Sequence, residues 1–257
     1  MDATIPTNAK VTQSLLYLDG VSVTFDGFRA INNLSLELAP GEMRAIIGPN
    51  GAGKTTMMDI ITGKTRPDTG DVLFDRGAID LTTKDESAIA QLGIGRKFQK
   101  PTVFENHTVE DNVLLALKDD RSVLANLMWS AGPSNEERIA KILATIGLAA
   151  HRQRLAGSLS HGQKQWLEIG MLIAQDPKLL LVDEPVAGMT DAESMTTADL
   201  LREIAKDHSV VVVEHDMEFV RRLNSRVTVL DNGQVLADGT LDEVQKNPAV
   251  IEAYLGR

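Results

Sequence analysis

The sequence predicts an α/β protein with a mostly parallel core sheet, an antiparallel β subdomain on its N-terminal side and an inserted helical lobe. Three observations carry this. A short apolar strand, Met43 to Ile47, runs straight into a glycine-rich loop and then a helix. Two continuous Leu or β-branched runs, Leu179 to Val182 and Val210 to Val213, have the composition of strands buried on both faces. Between those runs, Ala192 to Lys206 reads as the crossover helix that parallel neighbours require.

The remaining elements follow from local signals. Leu15 to Phe25 and Ile31 to Leu38 alternate apolar with polar residues around Asp26-Gly27 and before Pro40-Gly41, the pattern of antiparallel strands and turns. Thr55 to Thr62 reads as a helix closed by Gly63. The middle, roughly Ser87 to Ala156, reads as helical, with Val109 to Lys118 and Glu136 to Leu148 the clearest periodic stretches. Val227 to Leu236 reads as a hairpin around Asn232-Gly233. The expectation is one domain over residues 14–257, the helical lobe inserted at about 87–156, and a polar tail at 1–13.

Composition narrows the function. No apolar run reaches the ~20 residues that cross a bilayer, and the first residues lack the charge and apolar core of a secretory signal, so a cytoplasmic location is expected. Cysteine is absent, which removes disulfides, catalytic thiols and thiolate metal sites. A formal net charge of −10 disfavours a nucleic-acid surface, which needs clustered Lys and Arg. It leaves open a single phosphate pocket, for which a few local donors suffice.

Such a pocket is written at Gly48-Pro49-Asn50-Gly51-Ala52-Gly53-Lys54-Thr55, followed by Thr56, which fits G-x-x-x-x-G-K-[ST] between a strand and a helix. Glycines let backbone N–H groups turn inward around phosphate oxygens. Lys54 offers a point charge to the β- and γ-phosphates, and the Thr55 hydroxyl is a ligand for Mg2+. A chance match in a chain this long has odds of roughly one in a hundred from background frequencies. Downstream, Asp183 and Glu184 end a buried strand, where open α/β sheets bind ligands. Asp183 suits a Mg2+ shell, and Glu184 suits polarisation of a water attacking a γ-phosphate. An acidic pair alone is most often only a strand end; the upstream loop makes the functional reading the better one.

These two motifs are shared by many nucleotide hydrolases. Leu159-Ser160-His161-Gly162-Gln163 discriminates, because it resembles the LSGGQ signature of ABC ATPases and is expected to precede a helix starting near Lys164. The resemblance implies that Ser160, Gly162 and Gln163 help form an anion site facing ATP bound by a second ABC ATPase subunit. It also implies roles for Phe25 as the aromatic stacking on adenine, Gln99 as the loop glutamine sensing Mg2+ and nucleotide, and His215 as the switch contacting the γ-phosphate. Two positions depart from the family pattern: His161 replaces the first signature glycine, and Thr190 stands where aspartate is usual.

Within the family, Ile94 to Thr108 and Glu184 to Asp191 resemble branched-chain amino-acid importer ATPases, and most closely those of urea importers. That implies two transmembrane permeases, an extracytoplasmic solute-binding protein, and a peripheral position on the inner face of the plasma membrane. Urea or a short amide is the expected cargo, with branched-chain amino acids the alternative. A soluble ABC ATPase working on ribosomes or DNA would carry two cassettes or a long coiled-coil insertion. A GTPase would carry Asn-Lys-x-Asp, which is missing, and a dead scaffold would not keep Lys54, Asp183, Glu184 and His215.

Overall fold

The computed structural model describes residues 10–97, 102–117 and 133–255. Its strands are β1 (Leu16–Phe25), β2 (Phe28–Leu38), β3 (Met43–Ile47), β4 (Thr69–Phe74), β5 (Ile79–Asp80), β6 (Ile94–Lys97), β7 (Leu179–Asp183), β8 (Ser209–Val213), β9 (Arg226–Asp231) and β10 (Gln234–Gly239). The described helices are α1 (Lys54–Ile61), α2 (Glu86–Gln91), α3 (Val109–Ala116), α4 (Pro133–Thr145), α5 (His161–Ile173), α6 (Asp191–Ile204), α7 (Met217–Leu223), α8 (Leu241–Lys246) and α9 (Pro248–Leu255).

One sheet is antiparallel in the order β2-β1-β4-β5; the other runs β10-β9-β3-β8-β7-β6, parallel from β9 to β6 with β10 antiparallel at its edge. The β1–β2 turn places Asp26 and Gly27 at φ 46° and 84°, and the β9–β10 turn places Asn232 and Gly233 at 48° and 73°. Two successive positive φ values are what a twist-matched two-residue hairpin needs, and both dipeptides supply them cheaply.

Alternation along the parallel strands divides the core in two. Ala45, Ile47, Leu180, Val182, Val210 and Val212 face a cluster filled by α3 to α7, while Ile46, Leu179, Leu181, Val211 and Val213 face α1 and the antiparallel sheet. Both faces of the sheet are therefore dry, which explains runs with no polar break. On the first side α3, α4 and α5 pack on one another as the helical lobe. The fully buried Asn112 ties the lobe's entry segment to α3: its amide donates to Phe104 O and Thr108 O and accepts from the Phe104 N–H.

One local expectation fails. Ile94 to Lys97, inside the stretch read as helical, is an edge strand paired in parallel with β7, and α2 packs against it through Ile89 and Ile94. Four residues carry too little periodicity to reveal a strand whose partner lies 85 positions away in register, Ile94 opposite Leu179.

Candidate nucleotide site

The phosphate loop leaves β3 at Ile47 and enters α1 at Lys54 with Gly53 as its N-cap, at φ 98°. Neighbouring backbone presses on it from two sides. A Cβ on Gly48 would lie 2.2 Å from Leu230 O, and one on Gly53 would lie 2.8 Å from Ala30 O and 2.7 Å from Ile31 Cδ1. Only glycine fits at either place. The β9–β10 turn braces the loop from behind: Gly233 N–H donates to Ala52 O at 3.1 Å, and Gly233 O accepts from Asn32 N–H at 2.9 Å. Phe25 and Phe28 face each other across the hairpin that reaches the loop through Ala30 and Ile31, and both rings are exposed.

The first turn of α1 carries no acidic residue, so its free N–H groups and dipole are open to an anion. Lys54 Nζ donates to Gly48 O at 2.7 Å and to Pro49 O at 3.0 Å, which folds the ammonium back over the loop. Burial pulls its pKa down, while the carboxylates of Glu184 and Asp183 oppose that shift. Thr55 is exposed at the same helix end, and Thr56 is half-buried.

Asp183 is the last residue of β7 and is buried. Arg96 from β6 holds it: Nη2 lies 3.3 Å from Asp183 Oδ2 while Nη1 lies 2.5 Å from Asp59 Oδ1 on α1. Burial raises the Asp183 pKa and the Arg96 charge opposes it. The next residue, Glu184, adopts φ 45°, a strained conformation for a side-chain-bearing residue, with its N–H bonded to Val213 O at 2.9 Å. This kink puts Glu184 Oε1 3.6 Å from His215 Nδ1. Thus Lys54, Asp183, Glu184 and His215 converge at the C-terminal ends of β3, β7 and β8.

Sequence reasoning missed the residues that set this geometry. Glu214 is 1% exposed and accepts the N–H groups of His215 at 2.9 Å, Asp216 at 3.3 Å and Val186 at 3.3 Å. It thereby joins the loop after β8 to the loop after β7; burial raises its pKa and those N–H groups oppose the rise. Its only sequence signal is an acid wedged between a valine run and His215. Lys97 is fully buried 3.5 Å from Glu168 of α5, whose other oxygen accepts from Thr102 Oγ1 at 2.9 Å. Burial lowers the Lys97 pKa and raises that of Glu168. Gln99, expected between these anchors, lies outside the described residues.

The signature residues sit elsewhere, at the N-terminus of α5 beside Ala187 to Thr190. The helix starts at His161, three residues before Lys164, because Ser160 and Gln163 form a reciprocal capping box: Ser160 Oγ accepts Gln163 N–H at 3.2 Å and Gln163 Oε1 accepts Ser160 N–H at 3.1 Å. Gly162 is buried in the first turn.

The oxygens of Thr55 and Asp183 are hard donors of the kind Mg2+ takes together with waters. Among the described residues no group of three or more acidic or imidazole ligands exists, so a cation here would complete its shell from phosphate and water. The whole arrangement can hold a nucleoside triphosphate by its phosphates and present a carboxylate and an imidazole to a water at the terminal one.

The chain matches the family model described as ABC transporter over residues 31–187, and that described as Branched-chain amino acid ATP-binding cassette transporter over residues 234–257. It is 34% identical over 255 residues to the high-affinity branched-chain amino acid transport ATP-binding protein LivG of Escherichia coli (strain K12), covering 96% of this chain and 99% of LivG. A nucleotide-free ATP-binding cassette from an ABC transporter superposes with TM-score 0.79 at 31% identity, covering 95% of this chain and all of that one. A dimeric ATP-binding cassette in a post-hydrolysis state, bound to ADP and Pi, superposes with TM-score 0.72 at 25% identity, covering 88% and 98%. LivG and the second family model carry branched-chain amino-acid names, where urea was the cargo expected from the sequence. The chain belongs to the ABC transporter family, as an ATP-binding and ATP-hydrolysing subunit of the branched-chain amino-acid importer type.

Proposed function

We propose that this subunit hydrolyses ATP at the β3–β7–β8 strand ends, within a single domain over residues 14–257, to power uptake of branched-chain amino acids. The observation that carries the site assignment is the convergence of Lys54 with Asp183, Glu184 and His215 around a loop braced by Ala30, Ile31, Leu230 and Gly233. Backbone N–H groups of the phosphate loop and the Lys54 ammonium bind the phosphates, and adenine stacks on Phe25. Thr55, Asp183 and Gln99 would hold Mg2+, which supplies charge neutralisation on the phosphate oxygens. The Glu184 carboxylate accepts a proton from the attacking water, and His215, 3.6 Å from that carboxylate, donates to the γ-phosphate. Arg96 and Glu214 fix Asp183 and His215 in place.

Ser160, Gly162 and Gln163 complete the site of a second ABC ATPase subunit, and that subunit completes this one. The dimeric relative with ADP and Pi supports this reading. Among the described residues no helix is long and apolar enough to cross a membrane. Two permease subunits hold the pair at the inner face of the plasma membrane, fed from outside by a solute-binding protein. Urea is the second reading; it is favoured by the resemblance of the run Ile94 to Thr108 to urea-importer ATPases. Uptake of labelled leucine and labelled urea by cells lacking this subunit tests both. Loss of leucine uptake alone is the expected result, and loss of urea uptake alone overturns the cargo assignment without touching the ATPase.

A further inference from the structure

The two departures from the family pattern, His161 and Thr190, meet at one seam between α5 and the segment entering α6. His161 Nε2 lies 3.2 Å from Ala187 O and 3.2 Å from the side-chain amide of Gln165. The ring also lies over Gly188, where an added Cβ would sit 3.7 Å from both Cδ2 and Nε2. Ala187 O can only accept a hydrogen bond. Gln165 is fully buried, and its Oε1 has no hydrogen-bond partner among the described residues. A side-chain amide can present either atom by a half-turn, so the Nε2–H tautomer satisfies both neighbours, Gln165 offering its oxygen as the second acceptor.

Thr190 closes the seam from the other side. It caps α6 in a box with Glu193, whose Oε2 accepts from Thr190 N–H at 3.0 Å and Oγ1–H at 2.9 Å. That grip turns Oε1 toward the signature: Ser160 Oγ is 3.5 Å away, and a Cβ on Gly162 would lie 2.6 Å from it. Deeper along the same pair of helices, Trp166 Nε1 donates to Thr197 Oγ1 at 2.9 Å. With glycine at 161 the first of these links would not exist.

We propose that His161 is a positioning residue that donates Nε2–H to Ala187 O and locks the signature turn to Ala187–Thr190, so that a second subunit meets the two segments as one rigid surface. The inference rests on the dimer reading above for its use, but the lock itself is a property of the single chain. The test therefore begins on the full chain without nucleotide. Hydrogen exchange of the Ala187 and Met189 amides, which are bonded within the turn to Glu184 O and Val186 O, reports its opening. His161→Gly should raise their exchange roughly two- to tenfold, the factor one hydrogen bond supports, with the amides of Gly48 and residues 50–55 unchanged. His161→Gln should restore protection, since its amide nitrogen is as many bonds from Cβ as the imidazole Nε2. In the assembled transporter, the glycine variant should lower kcat while leaving KM for ATP unchanged, and the glutamine variant should recover it. Unaltered exchange in the glycine variant, or no rescue by glutamine, overturns the lock. Failure of dimerisation with the exchange results intact would instead overturn the dimer reading.

Discussion

Glu214→Gln tests how firmly one buried carboxylate holds two loops. In the native chain Oε1 accepts from Val186 N–H, and Oε2 accepts from both His215 and Asp216. The amide has a single oxygen. Turned toward His215 and Asp216, it leaves its NH2 facing the Val186 N–H, donor against donor. The lost bond to a charged acceptor is of order 1.5–3 kcal/mol, offset in part because the variant no longer buries a charge. A net loss of about 1–2 kcal/mol follows, or roughly 2–8 °C in Tm for a domain of this size. The pH dependence has a definite sign. Burial raises the native pKa of Glu214 above its unfolded value, so the folded chain takes up this proton first as pH falls. Wild type then gains stability relative to the variant as pH drops through the raised native pKa toward the ordinary glutamate range, and the Tm gap widens. Calorimetry across that window measures both quantities. Because the tie between the loops after β8 and β7 is lost and the phosphate loop is untouched, kcat should fall by about tenfold at constant KM for ATP. Equal Tm and equal kcat would mean that the three N–H groups find other acceptors and that Glu214 does not join the loops.

Four further outcomes are expected. Lys54→Ala should weaken nucleotide binding by roughly 10²–10³, since an ammonium near a phosphate contributes up to about 4 kcal/mol at an effective dielectric of 20, while the apo Tm barely moves; titration calorimetry reads this, and retained affinity removes Lys54 from the site. Glu184→Gln should bind Mg·ATP normally but turn over about 10²–10⁴ times more slowly and accumulate as an ATP-bound dimer; near-native turnover means another group activates the water. Gly53→Ala forces a positive φ on a side chain and sets its Cβ against Ala30 O, so a loss above ~2 kcal/mol and weaker nucleotide binding are expected in melts and titrations. Ser160→Arg should leave monomer affinity within about twofold yet abolish the dimer in light scattering; equal losses of both would sink the assignment of Ser160 to a neighbouring subunit's site.

What the sequence revealed depended on how locally each feature is encoded. The phosphate loop is contiguous, and the strand–loop–helix order around it is visible in a short window. The capping box at Ser160 and Gln163 was equally legible, as a serine three residues before a glutamine, and would have placed the start of α5 correctly. Strand β6 was not, because its evidence is the pairing with β7. Lys97 shows why: a lysine argues for solvent until the buried Glu168 is known to lie beside it, on the last helix of the lobe, far along the chain. Arg96 and Glu214 are legible as charges but not as links, since their partners Asp59, Asp183 and Val186 sit on other elements. His161 read as a side chain where the family has none, and only the nearness of Ala187 O gives that side chain something to do.

The strand order of the main sheet also constrains how the molecule is made. β3 lies between β8 and β9, so the apolar strand feeding the phosphate loop has no sheet neighbour until residues about 160 positions later have left the ribosome. At about 5–20 residues per second that interval is roughly 8–30 seconds, long compared with hairpin formation or collapse. During it the β1–β2 hairpin can pair, but Met43 to Ile47 stays an unsatisfied, sticky edge. Truncated nascent chains ending before Ser209 should thus be held by chaperones, and productive folding should begin only when the valine run of β8 emerges to take its place beside β3.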